Sequence, residues 1–132
     1  MEPREYIDLS KRLAEIILRA YGKPPGQFDD LEEMAVGAFV YGAHRSCSVS
    51  MGVYEWQSNL AMLEILTDLF GFPAETAANA LDFFAECLEK PETDPNINIV
   101  IHCGDDGAAL LSDPEELGKQ LKEIVYVLGT KR

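Results

Sequence analysis

Residues 29–43 read Asp-Asp-Leu-Glu-Glu-Met-Ala-Val-Gly-Ala-Phe-Val-Tyr-Gly-Ala. Either aspartate, with Glu32 or Glu33 three residues later, has the spacing of a capping box at a helix N-terminus. Leu31, Met34, Ala35, Ala38 and Phe39 then recur at helical intervals. From Met34 to Ala43 no side chain is charged. A helix that is apolar on most sides has to be covered on most sides, so this one is expected at the centre of the fold. Gly37 and Gly42 each cost about 1 kcal/mol of helix propensity against alanine. The compensation to expect is close approach of a neighbouring helix.

On the N-terminal side, Pro3 suits a first helical turn, and Tyr6, Leu9, Leu13, Ile16, Ile17 and Ala20 follow at helical spacing. Gly22 ends that helix, and Lys23-Pro24-Pro25-Gly26 forms a stiff connection. On the C-terminal side, the small polar run Ser46 to Gly52 reads as a loop. A third helix is expected to turn Val53, Trp56, Leu60, Leu63, Leu66 and Phe70 inward, with Gly71 as its stop. Pro73 opens a fourth, with Ala77, Ala80, Leu81, Phe84 and Leu88 inward and Lys90-Pro91 at its close. Asp94-Pro95 is a cap followed by a first-turn proline. In Asn96 to Cys103, Ile97, Ile99 and Ile101 alternate as in a strand, while Ile97, Val100, Ile101 and Gly104 suit a helix. A lone strand has nothing to pair with, so helix is the reading taken. Asp113-Pro114-Glu115-Glu116 starts the last helix, which turns Leu117, Leu121, Ile124, Val125 and Leu128 inward. The expectation is an all-α, single-domain bundle spanning residues 1–132, with five or six helices packed around the second and third.

The length of 132 residues fits one domain, which buries roughly two thirds of its unfolded surface without needing staples. No apolar run approaches a membrane span. The first 20 residues mix charged and apolar groups, unlike a signal peptide, which points to the cytoplasm. Cys47, Cys87 and Cys103 lie far apart and are odd in number, which reads as free thiols rather than a disulfide framework.

The net charge of -12 is unevenly placed. Residues 1–45 hold eight acids and six bases; residues 46–118 hold fourteen acids and one base, Lys90; residues 119–132 hold one acid and four bases. Nucleic acid and anionic membrane are poor partners for such a chain, because phosphate contacts need clustered Lys and Arg. A basic protein is a good one. On the fourth helix Glu75, Asp82, Glu86 and Glu89 stand seven, four and three apart on one stripe, with no base until Lys90. Like charges at the shorter spacings cost an isolated helix a few tenths of a kcal/mol per pair, or ~0.3. Glu64 and Asp68 repeat the pattern on the third helix. An unrelieved acidic face suggests a partner that covers it.

Chemistry is thinly represented. His44 and Cys47 are three apart, but zinc needs three or four ligands. Gly104-Asp105-Asp106-Gly107 lacks the further oxygens of a calcium loop. No glycine-rich phosphate loop, nucleophile elbow or metalloprotease helix appears. Neither a catalytic set nor a cofactor is expected.

Four segments carry a family likeness: Gly37-Ala38-Phe39-Val40-Tyr41-Gly42, Leu60-Ala61-Met62-Leu63, Leu69-Phe70-Gly71-Phe72-Pro73-Ala74-Glu75-Thr76-Ala77, and Asn98-Ile99-Val100-Ile101-His102-Cys103-Gly104-Asp105-Asp106-Gly107. Over about residues 30–110 the chain resembles the helical immunity proteins of bacterial polymorphic-toxin and type VI secretion systems. The resemblance implies a protein that neutralises one cognate toxin by binding it, without catalysis. The contact residues expected are Glu64, Asp68, Glu75, Asp82 and Glu86, with His102, Asp105 and Asp106 as a second patch implied by the resemblance. Two other readings stay open: an adaptor or chaperone-like module for a basic partner, and a small-molecule or metal-binding helical domain. Homodimerisation is a further way to cover so apolar a helix.

Overall fold

The computed structural model describes residues 2–131 and puts the uncharged stretch in the middle of the molecule. The chain forms α1 (Pro3–Tyr21), α2 (Asp30–Met51), α3 (Glu55–Glu64), α4 (Ala74–Glu89), α5 (Pro95–Gly107) and α6 (Pro114–Thr130), with short helical turns between them and no strand among the described residues. Asp29 caps α2: its side chain accepts from Glu32 N at 2.8 Å, and the Glu32 carboxylate accepts from Asp29 N at 3.1 Å. Every residue from Ala35 to His44 is buried.

The helix most extensively packed on α2 is α5, so the core is organised by the second and fifth helices and not, as expected, by the second and third. Glycine makes this pairing. A Cβ on Gly42 would collide with the Ile101 carbonyl, and one on Gly104 with the Phe39 carbonyl. The two backbones touch there, and the lost helix propensity is offset by contact that no larger residue permits. Gly37 is a milder case, where a Cβ would meet the Phe84 ring at 3.1 Å. The segment Asn96–Cys103 is helical: Asp94 caps α5 by accepting from Ile97 N at 3.1 Å, and Asn98 donates to the Cys87 carbonyl of α4 at 2.9 Å. Packing on both sides overrides the strand-like alternation.

Two further readings are corrected. Ser46 to Gly52 is not a loop, because α2 runs to Met51 and ends at Gly52, whose φ is 69°. What holds this weak helix former is a buried polar network. Tyr6 Oη lies 2.5 Å from Ser48 Oγ and 3.1 Å from His44 Nε2, and Ser10 Oγ is 3.1 Å from the same nitrogen. Ser48 also donates to the His44 carbonyl at 2.9 Å, and Ser58 of α3 donates to Ser48 at 3.1 Å. Second, Trp56 and Leu60 do not face in: they are 60% and 43% exposed. The buried stripe is Ala61, Met62, Ile65 and Leu66, because the small Ala61 lets α3 close on Tyr6 and Ile7 of α1.

Candidate functional site

Turning Ala77, Leu81, Phe84 and Cys87 inward leaves Glu75, Asp82, Glu86 and Glu89 exposed along α4. Among the described residues none of these four carboxylates has an ion-pair partner. The third-helix pair is different. Arg4 donates to both Glu64 oxygens at 3.2 Å, and Lys11 Nζ lies 2.6 Å from Asp68 and 3.1 Å from Glu64. The Lys11 hydrogen bond and charge hold the Asp68 carboxyl below its usual range. The expectation of an unrelieved face therefore fails for Glu64 and Asp68, because α1 packs on α3 and delivers its bases there. Of the acidic stripes expected on the third and fourth helices, only that of α4 is left without ion pairs among the described residues.

His102 and Asp105, both exposed on α5, line a cleft of about 340 Å³ together with Arg45 of α2 and Leu88 of α4. Asp106 is exposed on the same helix outside that lining. His44, by contrast, is buried in the polar network, and burial pushes its imidazole down to about 4. Among the described residues no three His, Cys, Asp or Glu side chains converge as metal ligands. The three cysteines are free thiols.

At the N-terminal end of α2 lies a feature the sequence did not announce: an open cleft of about 630 Å³ walled by phenylalanine. Three segments build it. Phe28 comes from the connection before α2. That connection is pinned by the buried Glu32, which accepts from Tyr21 Oη at 2.5 Å and from Lys23 at 2.7 Å. Burial would raise the Glu32 carboxyl, but those donors and Asp29 N outweigh it, so it stays ionised below its usual range. Phe70 and Phe72 come from the end of α3, where a π-helical turn over Ile65–Leu69 bonds Phe70 N to the Ile65 carbonyl at 3.2 Å. Gly71, at φ 76°, then folds the chain so that both rings reach the cleft. Phe83 and Phe84 come from α4. The Phe28 and Phe70 centroids lie 6.2 Å apart at 70°, and Phe70 and Phe72 5.7 Å apart at 53°. Asp30 and Glu33 stand at the rim, and among the described residues no Lys, Arg or His lines the cleft. Burial, then Asp30 and Asp29, raise the Glu33 carboxyl.

A profile for the family Immunity protein 48 matches residues 6–128. The chain belongs to the Immunity protein 48 family. The match takes in nearly all of α1 through α6, so the likeness read from residues 30–110 extends to both ends of the bundle. No curated protein and no solved structure matches the chain. Membership in Immunity protein 48 implies a toxin as the partner. Among the described residues no helix is long and apolar enough to cross a membrane.

Proposed function

We propose that this chain binds one cognate toxin of a bacterial polymorphic-toxin or type VI secretion system and blocks it stoichiometrically, without catalysis, in the cytoplasm. The observation that supports this reading is an acidic face on α4 with no cation to answer it, in a member of an immunity family. Glu75, Asp82 and Glu86 are the central contacts and call for a basic region on the toxin. His102, Asp105 and Asp106 form the second contact patch. Glu64 and Asp68, already answered by Arg4 and Lys11, serve at the rim.

Charge of this kind steers encounter and rejects wrong partners, while a few well-packed groups supply most of the affinity. The test is growth of cells that induce a candidate toxin, taken from the reading frame that neighbours the one for this chain, with and without the chain co-expressed. Restored growth is the expected result. Continued killing in the presence of abundant folded protein refutes the reading. The adaptor alternative predicts that continued killing.

A further inference from the structure

The phenylalanine cleft and the acidic stripe are one surface. Asn79 stands between Glu75 and Asp82 on the α4 stripe, and it also lines the cleft beside Thr76 and Ala80. On the opposite lip, Asp30 and Glu33 reach the rim from the first turn of α2. A groove walled by aromatic rings, with the carboxylates of Asp30 and Glu33 on one lip and the amide of Asn79 on the other, has a definite chemical complement. Ring faces carry negative quadrupole charge and attract cations, and a guanidinium stacks on them as an ammonium does not. The carboxylates then take the hydrogen bonds that such a cation still has to give.

We propose that this cleft is the socket for an arginine side chain carried on an apolar segment of the toxin. This rests on the immunity reading and names the chemistry of its anchor. A second copy of the chain is the less favoured occupant, because each copy has net charge -12 and only its residues 119–132 carry an excess of bases to bring to an acid rim. The bases that α1 and its following connection own are mostly engaged: Arg4 and Lys11 with Glu64 and Asp68, Lys23 with Glu32. The cleft is also wide and open, as befits an inserted side chain with its flanking residues more than an enclosed small molecule. Its walls are set before binding, by the capping box and Glu32 on one side and by the π-helical turn with Gly71 on the other. Binding therefore spends little ordering free energy there.

Two variants of the full chain test this. Thr76→Trp fills the cleft from an exposed helix position without changing charge. Asp30→Asn with Glu33→Gln removes the rim charge without filling it. Each is checked for an unchanged thermal midpoint, and its affinity for the toxin is measured by calorimetry. Both are expected to weaken binding about tenfold or more, the size of a lost anchor contact. In a parallel arm, acetyl-Leu-Arg-Leu-amide is titrated into the labelled wild-type chain. Amide shifts should concentrate at Phe28, Phe70, Phe72 and Phe83, and acetyl-Leu-Glu-Leu-amide should leave them unmoved. Wild-type toxin affinity in both folded variants overturns the inference and leaves the immunity reading intact. Equal shifts with the glutamate peptide overturn it too, since the cleft would then be an apolar groove with no preference for a cation. A wild-type chain that fails to bind the toxin at all removes the immunity reading and this one with it.

Discussion

Gly104→Ala is the perturbation that bears hardest on the fold. In an exposed helix the change adds about 1 kcal/mol of propensity. Here the new Cβ would sit on the Phe39 carbonyl, and neither atom belongs to a flexible side chain. α5 has to move away from α2, which opens the seam formed by Gly42, Gly104 and Gly107. Overpacking of a well-filled core costs about 1–3 kcal/mol, and backbone-on-backbone contact belongs at the upper end or above it. After the propensity gain, the net loss is about 2 kcal/mol. For a chain of this length that lowers the thermal midpoint by roughly 6–10 °C. Gly129→Ala is the matched control. It lies in α6, has no positive φ, and its Cβ would meet only Leu31 Cδ2 at an ordinary 3.5 Å. That variant should gain up to about 1 kcal/mol. Chemical denaturation with a common m-value compares the two directly. Equal shifts of the same sign in both would refute the claim that α2 and α5 are joined backbone to backbone.

Burial drives the His44 imidazole from its ordinary 6.5 to about 4, so the folded protein binds fewer protons than the unfolded chain between those values. Stability contributed by neutral His44 is complete above about 6.5 and falls as the pH drops toward about 4, by roughly 3 kcal/mol in all. His44→Gln should flatten the denaturation midpoint across that window, whereas a midpoint as steep as wild type would show that the acid sensitivity comes from elsewhere. Tyr21→Phe removes a hydrogen bond to the buried Glu32 carboxylate and should cost about 1–3 kcal/mol. It should also loosen Phe28, seen as faster exchange of the Gln27 and Phe28 amides, which bond the Pro24 and Pro25 carbonyls, and unchanged exchange would mean that Glu32 does not hold that connection.

The central helix was legible because burial, capping and glycine placement all pointed the same way between Asp29 and Ala43. The caps at Asp94 and Asp113 were equally plain, since a short acceptor side chain before proline leaves few alternatives. The stripe read on the third helix holds at Leu66 and Phe70, which are buried, and fails at Trp56 and Leu60, where the small Ala61 fits against α1 instead. Size is a poor guide where close approach decides. The continuation of α2 to Met51 was hidden because Ser48 is held by Tyr6, 42 residues away. Neutralisation of Glu64 and Asp68 was hidden for the same reason, their bases being 60 and 57 residues distant. The acidic stripe of α4 was readable because it lies within one helix. The aromatic cleft was not, because three segments build it; the pattern Phe70-Gly71-Phe72 was its one local trace.

If the unanswered carboxylates of α4 meet the toxin, reversing their charge must cost far more affinity than removing charge from Glu64 and Asp68. Toxin affinity is measured by calorimetry for Glu75→Lys/Asp82→Lys/Glu86→Lys and for Glu64→Gln/Asp68→Asn, with folding checked by circular dichroism. The expected loss is about 100-fold or more for the α4 variant and much smaller for the pair already bound to Arg4 and Lys11. An α4 charge reversal that binds as tightly as the wild-type chain would contradict it.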